Sequence, residues 1–588
     1  MSDDFHQPEL EELLQKPNGL PDPSDRRRPA SIIPSQSPSK GKVRSSEVDS
    51  ADLVSQLIGD YGRWQLLITF LLSLFSFPCT IHIFLPTFTA KETKFWCKQP
   101  ASLSDLSVAS WINYSQPNND SCFVRPLLDN ITASAILNGS AVMLDVQKCT
   151  EWTYDRTDVG NTIISEWSLV CDRSSLTNLA EVVFLCGVGI GGVLGGWVSD
   201  KFGRKNILML ASLTQSVLAI LSLLVTSYIQ YVIVRLVMGL VSVSVVYAAF
   251  VLAVEVVGGR WVTIAGVCIF FPLPISYIIV SLASMVLPDW RDLQLALSIP
   301  GCFLILLWFI LPESPRWLIG MGRTQEAKQI LQKAAAYNKM ELPADIDKML
   351  LASKTECRDE SASILTLFKG PLLLRTTCLF LSWFAMTIAY YGLLLNIGNF
   401  STGNIHLTSI VLAAVEIPAI AMSIPILLKG GRKIPIFVSM ILCGLACIAG
   451  EISTIIFESH WIMVSFLMVG KFAIGTTNMM MPIFTAELYP VIVRNLGVGA
   501  SQFSAGLALI CIPYFWKMQA INNHLPMVCL AALSAVGGAI ILILPETGAG
   551  AELKSLPESK VTPPSLQDGT TPSKGKLPIE GTSWRKTS

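Results

Sequence analysis

Twelve apolar runs, six on each side of a charged central stretch, punctuate this chain. About 20 apolar residues at 1.5 Å rise cross the roughly 30 Å hydrocarbon core, and a helix satisfies its own backbone hydrogen bonds where no water can. The pattern predicts helical spans at 65–86, 179–199, 206–226, 229–254, 262–286, 290–311, 374–398, 405–428, 433–457, 461–486, 494–517 and 522–545. Between them, 312–373 is polar with an amphipathic stretch, Thr324-Gln-Glu326-Ala-Lys-Gln-Ile330-Leu331, expected to lie against the inner face. Residues 1–64 and 546–588 carry too little apolar content to offset the entropy of ordering, so both are expected to be flexible tails. No cleavable signal is visible, which leaves the first span as the membrane address. The expected fold is an all-α polytopic membrane protein.

Composition agrees: 51% hydrophobic, 15% charged and a mean hydropathy of +0.52 exclude a soluble chain. Net charge near zero names no partner, and nothing points to nucleic acid. The position of the charges says more. Loops after even-numbered spans hold Lys201, Arg204, Lys205, Arg260, Lys429, Arg432, Lys433 and Arg494, and the central stretch holds Arg316, Arg323, Lys328 and Lys333. Positive residues of short loops stay in the cytoplasm, so both tails are expected there and 87–178 outside. Beyond that large segment, Arg291 and Lys517 are the exceptions. Two features of 87–178 fit an outer location. It has sequons at Asn113, Asn119, Asn130 and Asn138, and it has an even set of cysteines, Cys97, Cys122, Cys149 and Cys171, which predicts two disulfides in one of three pairings.

The two sets of six repeat. Gly203-Arg204-Lys205 after the second span matches Gly431-Arg432-Lys433 after the eighth at an offset of 228. Glu255 and Glu487 follow at 232, and Leu311-Pro312-Glu313-Ser314 and Leu544-Pro545-Glu546-Thr547 at 233. Parallel six-helix halves place a substrate site near the midplane between them, with access alternating as one half rocks against the other.

These residues also resemble a known family. Gly196-Trp-Val-Ser-Asp200-Lys-Phe-Gly203-Arg204-Lys205 is similar to the loop motif of the major facilitator superfamily. Trp167-Ser-Leu-Val-Cys171-Asp172, Leu311-Pro-Glu313-Ser-Pro-Arg316-Trp317-Leu318 and Ala486-Glu487-Leu-Tyr489-Pro490-Val-Ile-Val-Arg494-Asn495 resemble its organic cation, carnitine and organic anion transporter branch. The resemblance covers 61–546 and implies twelve helices in two bundles, and a cytoplasmic gate formed by Asp200, Arg204, Glu255, Arg260, Glu313, Arg316, Glu487 and Arg494. Paired charges there hold the inner side shut in that reading; topogenic charge is the plainer one. Leu428 stands where the aspartate of the first half would recur, so the second latch is expected to be weaker.

Charges inside spans cost several kcal/mol unless they face a cavity or a partner. Glu416 in span eight and Lys471 in span ten are central and opposite, and Arg235-Leu-Val-Met-Gly239 in span four mirrors Lys471-Phe-Ala-Ile-Gly475. A structural ion pair accounts for Glu416 and Lys471 as well as a bipolar substrate site does. Ring faces attract amines, which makes Trp383, Tyr390 and Tyr391 of span seven and Tyr247 and Phe250 of span four candidate cavity walls, against ordinary packing. The resemblance places Glu416, Lys471, Trp383 and Tyr390 on the family's path. Gly506 replaces its span-eleven charge, Val243 and Val246 replace a lysine and a tryptophan of cation carriers, and Met386 replaces an aspartate. A less charged cavity follows.

No phosphate loop, metal cluster or nucleophile triad emerges, so neither an enzyme nor a cofactor is expected. The expected function is plasma-membrane transport of small organic cations or zwitterions, carnitine-like or amine-derived, with or without a coupling ion. An organic anion carrier is the alternative, and a non-transporting receptor on the same fold a further one.

Overall fold

The computed structural model describes residues 50–91, 93–116, 120–125, 145–157, 159–356, 364–395, 405–457, 460–489 and 493–547. Asn119, Asn130 and Asn138 fall outside the described residues; Asn113 is exposed on the helix Val108–Ser115. Among the described residues each predicted span overlaps a helix. Ten helical stretches among the described residues are long and apolar enough to cross a membrane: Arg63–Thr89, Cys171–Phe202, Tyr228–Glu255, Trp261–Val286, Trp290–Phe309, Leu372–Leu395, Ile405–Lys429, Lys433–Ile456, Trp461–Leu488 and Gly497–Ala520. The third span, Arg204–Leu221, opens on Arg-Lys-Asn, which lowers its hydropathy, and the twelfth, Leu525–Ile541, has 17 residues. Pro272 divides the fifth span into Trp261–Cys268 and Pro272–Val286, since proline cannot donate the backbone hydrogen bond of a continuous helix. Pro418 and Pro425 lie within the unbroken eighth.

Small residues set the closest helix contacts, as they do where lipid removes any hydrophobic reason for helices to associate. Spans two and four touch through Gly187 and Gly191, where an added Cβ would sit 2.3 Å from the Leu236 oxygen and 2.1 Å from the Leu240 oxygen. Gly187, Gly191 and Gly195 of span two therefore serve dense packing against span four. Between the halves, span two meets span eleven at Gly189 and Gly506. At the end bearing the disulfides, Phe88 of span one stacks on His406 of span eight at 5.4 Å, and His406 Nδ1 shares a 2.9 Å hydrogen bond with Ser284 of span five.

The segment between spans one and two contains two antiparallel ribbons, Phe95–Cys97 with Trp152–Tyr154 and Phe123–Val124 with Gln147–Lys148. Of the three possible pairings, the structure has Cys97 with Cys149 and Cys122 with Cys171, at Cα separations of 5.7 and 5.6 Å. Its small core is Leu103, Leu106 and Trp111. Glu166 fastens the segment to the bundle. It accepts the Trp290 Nε1 proton at 2.6 Å and pairs with Arg291, whose Nη2 also reaches the Val225 carbonyl at 2.9 Å. Arg291, an exception to the charge bias, is thereby explained: its charge is spent on this clamp. Glu166→Ala is expected to release about 1.5 kcal/mol of charge-assisted hydrogen bonding and to raise local opening roughly tenfold. Limited proteolysis of the 93–173 segment reads this directly; an unchanged cleavage rate would sink the clamp.

At the opposite end the expectation of a flexible tail through residue 64 is corrected. Ser50–Ile58 is a helix whose Leu53, Val54, Leu57 and Ile58, spaced to share one face, are buried. They join a core with Leu318, Leu331 and Ala335 of the helices Pro315–Gly320 and Thr324–Asn338. Asn338 Oδ1 accepts the Trp64 amide at 2.9 Å, and its Nδ2 donates to Gln65 Oε1 at 2.8 Å. The local polar composition misled because four apolar residues suffice when a partner surface exists. Glu546 and Thr547, expected in the C-terminal tail, are ordered, and residues 548–588 fall outside the described residues.

Candidate functional site

The repeated loop motifs form the same cap twice. Glu313 Oε1 accepts the backbone amides of Arg204 at 3.0 Å, Lys205 at 3.1 Å and Ser314 at 3.0 Å, so its carboxylate closes the start of span three. Glu546 Oε1 does this for span nine through the amides of Arg432, Lys433 and Thr547. Gly203, at φ +99°, leaves the room that Glu313 fills, as a Cβ there would lie 2.4 Å from the carboxylate; Gly431 leaves the equivalent room for Glu546.

Arg204 is paired with Asp200 at 2.8 Å and with Glu255 at 3.2 Å. Arg432 pairs with Glu487 at 3.1 Å, donating from Nε as well, and bonds the Leu427 and Gly430 carbonyls. The Leu427 bond repeats that of Arg204 to the Ser199 carbonyl, and the Gly430 carbonyl is the added partner where Leu428 replaces the aspartate. Arg316 donates to the Val257 carbonyl at 2.8 Å, and Arg260 lies 5.8 Å from the Trp261 ring. The side chain of Arg494 is outside the described residues. The pairs of Arg204 and of Arg432 each join neighbouring spans of one half.

The central charges meet inside the second half. Lys471 Nζ lies 3.3 Å from Glu416 Oε2, with Lys471 fully buried and Glu416 1% exposed. Tyr390 donates its hydroxyl proton to Glu416 Oε1, and its ring lies 3.5 Å below the Lys471 ammonium. Spans seven, eight and ten each contribute one member. An ammonium held by one carboxylate and one ring face is well compensated for a buried charge. Gly475, one turn after Lys471, faces Ala419 and Glu416 of span eight.

Trp383 lies two turns before Tyr390 and points to the same span ten, donating Nε1–H to Thr485 Oγ1 at 2.9 Å. Both rings are buried in the bundle. Tyr391, half-buried and edge-on to Tyr390 at 4.8 Å, packs against Phe184, Leu509 and their neighbours where the halves meet. Tyr247 faces Gly192, and Phe250 packs on Phe270 at 5.8 Å within the first half. Arg235 is 4% exposed, donates to the His82 carbonyl at 3.0 Å and stacks 4.0 Å from the Phe184 ring. The structure therefore gathers Glu416, Lys471, Tyr390 and Tyr391 together and keeps Arg235, Tyr247 and Phe250 in the other half. Sequence reasoning missed Phe184, His82, Thr485 and Glu166. A histidine inside the first apolar run was the available signal for His82; a phenylalanine or threonine within a span carries none.

Comparison with known proteins fits this geometry. The model of the "Sugar (and other) transporter" family matches residues 132–558. The organic cation transporter protein of Drosophila melanogaster is 32% identical over 547 residues, covering 90% of this chain and 96% of that protein. The human organic cation/carnitine transporter 2 is 30% identical over 515 residues, covering 84% and 91%. Among solved structures, the proton:xylose symporter XylE matches with a TM-score of 0.58 at 16% identity, covering 82% of this chain and 97% of that one, which speaks to the fold alone. The duplicated caps, the paired six-helix halves and these relatives lead to one conclusion: the chain is a transporter of the major facilitator fold and belongs to the organic cation and carnitine branch of the sugar and other transporter family.

Proposed function

We propose that this protein carries small organic cations or zwitterions, carnitine-like or amine-derived, across the plasma membrane by alternating access, with both termini in the cytoplasm. The observation that carries the reading is the Lys471 ammonium seated between the Glu416 carboxylate and the Tyr390 ring. Those are the groups a substrate amine requires, so Lys471 acts as a resident stand-in for the cargo. A quaternary or protonated amine entering between the halves competes with Lys471 for Glu416, with Tyr391 as the ring nearest the interface. Gradients supply the energy. The names of the relatives, organic cation transporter and organic cation/carnitine transporter, support the same substrate class, and the sequons and charge bias support the orientation.

Uptake of labelled tetraethylammonium and carnitine into expressing oocytes tests this. Saturable uptake is expected, and Glu416→Gln should abolish it when uptake is normalised to the surface protein that remains. Undiminished uptake in that variant would remove Glu416 from the path.

A further inference from the structure

The two halves treat their buried cation differently. Lys471 of span ten precedes Gly475 by four residues, and Arg235 of span four precedes Gly239 by four. Each glycine faces the partner span: Gly475 looks onto Glu416 of span eight, whereas a Cβ on Gly239 would meet the Phe184 oxygen of span two at 2.2 Å. The place that holds a carboxylate in the second half thus holds a phenyl ring in the first. Arg235 keeps one nitrogen on the His82 carbonyl and one face on Phe184, but its Nη2 is buried without a hydrogen-bond partner. His82, 2% exposed, has an unpartnered Nδ1 as well. Glu181 and Tyr231 are within electrostatic reach of Arg235, yet among the described residues no carboxylate stands at ion-pair distance from it. A guanidinium out of water with no carboxylate at ion-pair distance is only partly compensated, because Glu181 acts on it from further away, and its free Nη2 leaves a place for a negative group. Phe184 packs with Leu509 and Ile512 of span eleven, which places Arg235 and its ring partner where the halves meet.

We propose that Arg235, assisted by His82, forms an anion-binding site at the interface of the halves that receives the carboxylate of a zwitterionic substrate, or a small inorganic anion. The proposal rests on the transport reading above and extends it: Glu416 and Tyr390 hold the ammonium end, Arg235 the carboxylate end.

Purified full-length protein offers the test, by thermal unfolding titrated with carnitine, with choline, which lacks the carboxylate, and with chloride against bulky gluconate. For an organic carboxylate, wild type should bind carnitine about tenfold or more tighter than choline, the worth of one charge-assisted hydrogen bond. Arg235→Gln should erase that preference and Arg235→Lys retain most of it. For an inorganic anion, chloride should stabilise wild type and not Arg235→Gln, with carnitine and choline alike. Should Arg235→Gln not fold, His82→Leu keeps the backbone carbonyl and should weaken the anion response alone. If neither carnitine nor choline binds while chloride still stabilises, the cation-transport reading fails and the anion site stands. Wild type indifferent to both chloride and the carboxylate overturns the site.

Discussion

Lys471→Met is expected to destabilise the protein by about 3–5 kcal/mol, because it strands Glu416 as an unpaired buried carboxylate. Glu416 is 1% exposed and its remaining partner is the Tyr390 hydroxyl, which can share a proton but cannot cancel a charge. Glu416→Gln is expected to cost a similar amount by stranding the ammonium, softened by the Tyr390 ring that still faces it. The double variant Glu416→Gln/Lys471→Met should recover most of the loss, since replacing both members of a buried pair is often close to neutral. Thermal unfolding of the three variants measures the coupling, and uptake by the double variant separates the roles. A stable double variant without uptake means that the pair serves the cargo. A stable, active one reduces it to a brace. If Lys471→Met were as stable as wild type, the pair would not be ionic at all.

Substitution of Gly506 should disable the protein out of proportion to its size. A Cβ at this position would lie 2.9 Å from the Gly189 Cα, so Gly506→Ala already forces spans two and eleven apart. Overpacking of this kind costs about 1–3 kcal/mol. The crossing also joins the two halves, so the same push displaces the surfaces that must rock against each other. Gly506→Ala should lower uptake severely and Gly506→Arg, which restores a charge of the kind the family resemblance implies there, should abolish it. Gly189→Ala is the control: its Cβ would sit 3.5 Å from Gly506, an ordinary contact, and uptake should be near normal. Equal uptake in Gly506→Ala and Gly189→Ala would refute the steric account. The missing charge at Gly506 thus has a packing reason in this chain, independent of substrate.

Much of the architecture was legible because each signal acts within one stretch of chain. Spans are read from runs of apolar residues, since lipid leaves the backbone no other solution, and the repeat from Gly203 with Gly431 and Glu313 with Glu546. The chemistry of the second half was legible too: a carboxylate and an ammonium within apolar runs demand an explanation wherever they fold. Residues 50–58 were not, because an amphipathic face of four residues means nothing until the central helices offer it a surface.

By itself, the sequence determined the membrane class, the duplicated halves, the cysteine set and the presence of two opposite charges in spans eight and ten. The tertiary structure alone decided that these charges meet each other and Tyr390, that the loop carboxylates cap helices inside each half, which cysteines join, and that Arg235 finds a phenyl ring where Lys471 finds a carboxylate. The physical reason is one of range. Hydropathy, charge bias and motif spacing are sums along the chain, whereas ion pairing, capping and helix crossing depend on distances of a few ångström between residues tens to hundreds of positions apart, which only the packed fold sets.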